Sequence, residues 1–346
     1  MICSGGTGGH MFPACALLDA LKNRHDVFMV TDARGAVFCN ALPRSMFMVI
    51  ETVRRSGGLS DLGKSVRAFF SLLRLWYRNP ADVVVGFGGL FTVIPLLAAA
   101  VLGSKVVLYE QNSVVGKANR LLAPLARLKL SFFDIGGGWR RVLSPVREDF
   151  LRLGRTVPYC CCDPDSAIKI VVIGGSQGAR SFSQIIPDAM GRLDEAKRQK
   201  IEIIQQVRQE EQEQLEKFYD TVGVKFSGRH FLHNMAEIMA NAHLVICRSG
   251  ASTLAELSTL GRPAILVPYP EATDNHQFLN AIDYAKKNAA WLVEEKNDAA
   301  EKISSILQKV LDDRELLKSA ASNMINRHMA NANDLFVEIL EDIARA

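Results

Sequence analysis

The chain has 346 residues, too many for one ordinary hydrophobic core, and so points to two domains. With 48% hydrophobic and 23% charged residues its composition is globular, and a net charge of +4 argues against a general nucleic-acid binder. Met1-Ile2-Cys3-Ser4 runs straight into glycines without the basic start and apolar stretch of a secretory signal, and the seven cysteines contain no CxxC pair, so a reduced, cytoplasmic protein is expected.

Strand and helix signals alternate along the whole chain, the pattern of parallel sheets flanked by helices. In the first half the spacing predicts strands at Val27–Thr31, Phe47–Ile50, Val83–Val85, Val106–Tyr109 and Leu128–Phe132. Helices are predicted at Ala14–Asn23, Ser65–Tyr77, Thr92–Leu102 and Gly116–Leu122. The uncharged run from Val83 to Ser104 is long enough to span a bilayer, but Gly86, Gly88, Gly89 and Pro95 divide it into strand, glycine loop and core helix. Ser144–Asp165, with Pro145, Pro158 and Pro164 and little periodicity, reads as a linker. A second strand series follows at Ile168–Ile173, Ile201–Gln205, Leu244–Cys247, Ala264–Val267 and Trp291–Val293. Arg314–Ala346 reads as helix with a break near Ala330–Asn333. The expected fold is therefore α/β, with two Rossmann-like, doubly wound domains facing a cleft. Their boundaries fall at 1–147 and 148–329, and the last helix, 330–346, packs back on the first domain.

Three glycine turns fall at the carboxyl ends of predicted strands, where open α/β sheets bind ligands. They are Gly5-Gly6-Thr7-Gly8-Gly9-His10, Gly86-Phe87-Gly88-Gly89 and Gly174-Gly175-Ser176-Gln177-Gly178-Ala179-Arg180. Glycine lets the backbone turn sharply and brings its N–H groups close to a ligand, and a following helix N-terminus favours phosphate. Any one alone is adequately explained as a tight strand–helix turn; three together point to a sugar phosphate. They are not dinucleotide or ATP loops. A fingerprint from Gly6 and Gly8 needs glycine where Met11 stands, one from Gly174 needs it at Ser176, and Gly116-Lys117-Ala118 lacks the rest of a P-loop. No cofactor is expected.

Val245–Glu256 joins a buried strand to a helix beginning at about Ser252 through the small-residue turn Ser249-Gly250-Ala251. N–H groups and the Ser252 and Thr253 hydroxyls there suit a diphosphate. Glu256, one turn on, suits ribose hydroxyls or is simply an acidic residue in a first helical turn. Gln277 and Asn280, three apart after Asp274-Asn275-His276, can point into one pocket.

With these segments quoted, the sequence resembles the MurG family of UDP-N-acetylglucosamine transferases over nearly its whole length. GGTGGH, GFGG, EQN at Glu110–Asn112, GGSQGAR, CRSGA-T-AE and the HQ–NA pattern at His276–Ala281 recur in that family's order and approximate spacing. The resemblance implies a GT-B fold and an inverting transfer of N-acetylglucosamine from UDP-N-acetylglucosamine to lipid I, an undecaprenyl-pyrophosphoryl-MurNAc-peptide. It assigns the acceptor and membrane side to the first domain and the donor to the second. By motif position Ser176 and Arg180 lie near the donor, Leu232 meets uracil through its backbone, and Ala251, Ser252, Thr253, Leu254, Ala255 and Glu256 hold diphosphate and ribose. Gln277 meets the sugar, and Thr7, Gly8, Gly9, His10, Asn112 and Arg147 line the site from the first domain. Three positions depart from the family pattern: Tyr109 where His usually precedes EQN, Leu90 after the second glycine loop, and Ser144 in place of the Asn of GNPVR.

His10 suits a general base because imidazole titrates near neutrality; it equally suits a hydrogen bond to diphosphate or backbone. Asp163-Pro164-Asp165 reads as a solvated turn, and His230 with His233 has no evident third ligand, so no metal is assigned. The segment Arg54–Arg78 is basic and apolar, opposed only by Asp61; its residues Arg67, Phe70, Arg74, Trp76 and Arg78 are expected to rest on an anionic membrane surface rather than merely pack as an amphipathic helix. The expected location is peripheral, on the cytoplasmic face of the bacterial inner membrane. Two rival functions keep the same sequence signals: a UDP-sugar epimerase, which has no acceptor, and a non-enzymatic nucleotide-binding or membrane scaffold.

Overall fold

The computed structural model describes the chain except residues 41, 51–58, 161–165, 175–179, 233, 327–328 and 330, and the side chains of 59–62 and 64. Ser176, Arg54, Arg55, the Asp163–Asp165 turn and His233 therefore lie outside the described residues, as do the side chains of Asp61 and Lys64. The chain divides into two compact units, Met1–Arg147 with Asn331–Ala346, and Glu148–Ala330.

In the first unit the chain runs β1 (Ile2–Cys3), α1 (Gly8–Leu21), β2 (Met29–Thr31), β3 (Phe47–Val49), α2 (Leu59–Arg78) and β4 (Val83–Gly86). It continues through α3 (Val93–Val101), β5 (Lys105–Glu110), α4 (Lys117–Leu122), β6 (Leu128–Ser131) and β7 (Arg140–Arg141). The second unit holds α5 (Glu148–Thr156), β8 (Ile168–Ile173), α6 (Phe182–Gly191), α7 (Glu195–Arg198), β9 (Ile201–Gln206), α8 (Gln212–Val222) and β10 (Lys225–Arg229). After these come α9 (Met235–Ala240), β11 (Leu244–Cys247), α10 (Ala251–Leu260), β12 (Ala264–Leu266), α11 (His276–Lys286), β13 (Ala290–Leu292), α12 (Ala299–Asp312) and α13 (Glu315–Met324). The last helix, α14 (Ala332–Arg345), returns to the first unit.

Both sheets are parallel, with strand orders β3-β2-β1-β4-β5-β6-β7 and β10-β9-β8-β11-β12-β13. Each is doubly wound, and the winding reverses between β1 and β4 in one and between β8 and β11 in the other. Ligands of such sheets bind beyond the strand ends at that reversal. The four segments that follow these four strands are the three glycine turns and the Ser249–Ala251 turn. The central strands carry apolar runs because both faces are covered: in β8, the consecutive Ile170, Val171, Val172 and Ile173 are all buried. The Val83–Ser104 run is β4, the glycine loop and the nine-residue α3. Among the described residues, no helix is long and apolar enough to cross a membrane.

Several expectations need correction. The Ser144–Asp165 segment contains α5, whose Phe150, Leu151 and Leu153 are buried while Glu148 and Asp149 occupy its first turn and Arg155 its last. Nine residues were too few to outweigh the flanking prolines as a sequence signal. Helix α1 begins at Gly8, so the second half of GGTGGH is already helical. Helix α10 begins at Ala251 rather than Ser252. Strands β7 and β10 were not foreseen; both are sheet edges, and Arg140-Arg141 and Lys225-Phe226-Ser227-Gly228-Arg229 carry almost no apolar pattern.

The membrane patch also changes. Trp76 is 1% exposed, in the core with Ala68 and Leu72. Four-residue spacing puts these three on one face of α2. The opposite face carries Arg67, Phe70, Arg74, Tyr77 and Arg78, all exposed, with Phe70 at 63% and Tyr77 at 81%.

Candidate functional site

In the first unit the turn after β1 is shaped by Asp32 at the end of β2. Its Oδ1 accepts from Gly6 N (2.9 Å) and Gly35 N (2.8 Å), and Arg34 pairs with Oδ2 at 3.2 Å. Burial raises the Asp32 carboxyl pKa, but these donors outweigh it and hold the group below its ordinary value. Gly6 has φ +88°, which only glycine adopts without strain. Thr7 precedes α1 and its side chain makes no capping hydrogen bond; Gly8 is buried and Gly9 exposed at the first turn.

His10 sits on this first turn and reaches across to the next glycine loop. Its Nδ1 lies 2.6 Å from the Phe87 carbonyl oxygen, with the Gln111 side-chain amide 3.0 Å away. Gly88 has φ +80°, and a Cβ there would stand 3.3 Å from the imidazole Cε1, so this loop seats the ring closely. The Glu110 carboxylate, 4% exposed, organises the next turn: Oε1 accepts from Asn112 N (3.1 Å) and Nδ2 (3.4 Å), and Oε2 from Gly116 N and Asn119 Nδ2 (2.9 Å each). Arg147 stacks over the Phe12 ring at 4.9 Å, one turn from Gly8 and Gly9. The unusual Tyr109 is fully buried against Phe87 and Phe336, with ring centroids at 5.2 and 5.4 Å. Of the other two departures, Leu90 is 66% exposed and Ser144 is buried.

The second unit gathers its residues at the ends of β8, β11 and β12. Gly250, extended at φ −65° and ψ 139°, precedes α10 and has no side chain to satisfy the first helical N–H groups. Ser252 and Thr253 are half-buried on that turn, and Ala251, Leu254, Ala255 and Glu256 are buried, with Glu256 8% exposed. Helix α11 is tied to the same turn. Ser249 Oγ donates to the Gln277 carbonyl at 2.8 Å, and Asn280 Nδ2 donates to Ser249 O at 3.2 Å. Gln277 Oε1 accepts from Tyr269 N at 2.9 Å, which sets the orientation of its amide. Asp274 and Asn275, just before α11, have φ +53° and +51°, and consecutive non-glycine residues in that region mark a held, strained turn. Leu232 is 3% exposed, in the segment after β10, and Arg180 is exposed ahead of α6.

Sequence reasoning missed Arg248 as a separate site element although it lies in the CRSGA segment. Its guanidinium, 9% exposed, donates to the Val267 and Pro268 carbonyls (3.1 Å each) and to Ser181 Oγ (3.0 Å). It also pairs with Glu295 at 2.5 Å and lies over the Phe182 ring at 4.8 Å. One side chain thus braces the segments following β8, β11, β12 and β13. The signal was a charge at the end of a buried strand. Glu110 was visible only as part of EQN and Asp32 not at all, because the N–H groups they hold, those of Gly6, Gly35, Asn112 and Gly116, are backbone that no residue pattern marks. Among the described residues no group of His, Cys, Asp and Glu is arranged to hold a metal ion.

Residues 1–128 match the glycosyltransferase family 28 N-terminal domain, and residues 169–336 match the family's C-terminal domain. A Rhizobium leguminosarum bv. trifolii protein is 38% identical over 99% of this chain and 95% of its own length. A Paramagnetospirillum magneticum protein is 39% identical over 92% and 90%. Both are named UDP-N-acetylglucosamine–N-acetylmuramyl-(pentapeptide) pyrophosphoryl-undecaprenol N-acetylglucosamine transferase. The crystal structure of Acinetobacter baumannii MurG superposes with a TM-score of 0.80 at 25% identity, covering 99% of this chain and 98% of that one. A UDP-GlcNAc 2-epimerase from Neisseria meningitidis shares the fold, with a TM-score of 0.66 at 12% identity and 99% coverage of each chain. With both domains matched in order on a GT-B fold and relatives alike from end to end, this chain belongs to glycosyltransferase family 28.

Proposed function

We propose that this chain transfers N-acetylglucosamine from UDP-N-acetylglucosamine to the MurNAc 4-hydroxyl of lipid I with inversion, giving lipid II for peptidoglycan synthesis. The observation that supports it most is that relatives at 38% identity over 99% of the chain bear that transferase name. The fold alone does not separate transferase from epimerase, since both share it.

In this reading the second unit takes the donor. The N–H groups of the first turn of α10, with Ser252 and Thr253, hold the diphosphate and stabilise the departing UDP without a metal. Glu256 meets the ribose, Gln277 the sugar, Leu232 the uracil by its backbone, and Ser176 and Arg180 flank the donor. The first unit takes the acceptor and also contributes Thr7, Gly8, Gly9, Asn112 and Arg147 to UDP-N-acetylglucosamine binding, with His10 as the base. The acceptor oxygen attacks the sugar C1 as its proton passes to imidazole, and the C1–phosphate bond breaks with both electrons leaving on UDP. The exposed basic and aromatic face of α2 rests on anionic lipid at the cytoplasmic face of the inner membrane, near the lipid-linked acceptor.

The test is product analysis after mixing the protein with radiolabelled UDP-N-acetylglucosamine and lipid I, with and without EDTA. Labelled lipid II in both samples is the expected result. An epimerised UDP-sugar formed without acceptor, or tight UDP binding with no turnover, would replace this reading with an epimerase or a scaffold. Loss of turnover in EDTA that magnesium restores would overturn the metal-free part.

A further inference from the structure

The Phe87 carbonyl, 2.6 Å from His10 Nδ1, can only accept, so Nδ1 carries a proton and the neutral ring keeps its lone pair on Nε2. The Gln111 amide stands 3.0 Å from the same Nδ1. An amide nitrogen in that place would set donor against donor, while Gln111 Oε1 is buried with no hydrogen-bond partner among the described residues. A half-turn of the amide about its terminal bond brings Oε1 to Nδ1–H and removes that opposition, and since O and N are close in size the hydrogen-bond pattern decides between the two orientations. Gln111 is 5% exposed at the end of β5, so its amide has little water to turn to.

We propose that Gln111 is a positioning residue for His10: its side-chain oxygen and the Phe87 carbonyl share the Nδ1–H, holding the ring as the tautomer whose Nε2 accepts a proton. When Nε2 takes the acceptor's proton, the resulting imidazolium keeps both oxygens on Nδ1–H, so its positive charge forms against fixed dipoles. A neutral amide thus does the orienting work that a carboxylate does in a Ser-His-Asp arrangement. Neighbouring carboxylates are committed elsewhere: Glu110 to four N–H donors, and Asp32 to Gly6, Gly35 and Arg34. The variants below leave every other charged group on the packed elements in place, among them Arg147, Lys117 and Arg120 and, on α14, Asp334 and Glu338. The inference rests on the reading of His10 as the base.

The test uses the full chain, UDP-N-acetylglucosamine and a lipid I acceptor, with Gln111→Met, Gln111→Glu and His10→Ala. Gln111→Met removes the acceptor at similar volume and is expected to lower kcat with donor KM within about twofold of wild type, by less than the ~10²–10⁴-fold that a general base contributes. Gln111→Glu places a carboxylate on Nδ1–H and is expected to raise the pKa of the acid limb of kcat/KM by about one unit or more. ¹⁵N NMR of the His10 ring should show Nδ1 protonated in wild type near neutral pH, and a mixture of tautomers in Gln111→Met. A wild-type ring protonated on Nε2 overturns the proposal whatever the variants do, as do pH profiles and ring spectra unchanged in both Gln111 variants. His10→Ala separates the two levels. Turnover near wild type there removes the base reading itself. Its loss, alongside silent Gln111 variants, leaves the base and removes only Gln111.

Discussion

Glu256 and Trp76 show how differently single residues can be read before and after folding. Both are buried, at 8% and 1% exposure, yet one is charged and the other apolar. A carboxylate is kept out of water only when hydrogen bonds or charges compensate for its lost solvation. Glu256 lies one turn into the helix whose N-terminus is proposed to hold the diphosphate, and its field, with burial, pushes the Cys247 thiol up to about 12, burial being the larger cause. Glu256→Ala is expected to weaken UDP-sugar binding by roughly 1.5–3 kcal/mol, the range for a hydrogen bond to a charged group. Calorimetric titration checks this, and unchanged affinity in a folded variant would take Glu256 out of the site. Arg262 is the structural counterpart. It is 1% exposed and donates to the Ala240, Leu260 and Val157 carbonyls at the ends of α9, α10 and α5. Burial lowers its pKa to about 10, which still leaves it charged against three negative helix ends.

At the scale of the element, α2 has two faces with different duties. Ala68, Leu72 and Trp76 close the core, and the side bearing Arg67, Phe70, Arg74, Tyr77 and Arg78 stays exposed. Each cation near an anionic surface contributes about 1 kcal/mol, screened within a Debye length. Replacing Arg67, Arg74 and Arg78 with Ser is therefore expected to reduce co-sedimentation with anionic vesicles, most clearly at low salt, and to lower turnover of lipid acceptor. Donor affinity should stay as in wild type. If the triple variant sediments with vesicles as wild type does, this face is a solvated helix side and lipid contact lies elsewhere. Helix α5 makes the opposite point. Gly154 brings it so close to α10 that a Cβ would stand 2.5 Å from the Thr259 carbonyl oxygen, a contact no sequence pattern announces.

The whole molecule is two units of unequal continuity: Glu148–Ala330 is one unbroken segment, whereas the first unit needs α14 from the end of the chain. Phe336 of α14 is 1% exposed against Phe87 and Tyr109, and Asn333 bonds both the N–H and the carbonyl of Val146 at 2.9 Å. Segment 148–330 produced alone is expected to unfold cooperatively and to bind UDP about as tightly as the full chain does. Segment 1–147 alone is expected to fail, since losing Phe336 alone forfeits about 1.5–3 kcal/mol of burial; fusing 331–346 to it should restore folding. A folded segment 148–330 that does not bind UDP, while the full chain does, would refute the donor assignment. Strand–helix alternation and the glycine turns made the doubly wound fold, the family and the end of each sheet proposed to bind ligand legible from residue order, because a buried parallel strand is an apolar run and a tight turn needs glycine. Which face of α2 is buried, that α5 is a helix, and that Asp32, Glu110, Gln111 and Arg248 brace the turns were decided only by tertiary structure. Their partners are single backbone groups, side chains and rings, near in sequence for Glu110 and far from it for Asp32 with Gly6 and Gln111 with His10, and neither kind of contact leaves a periodicity for a sequence to show.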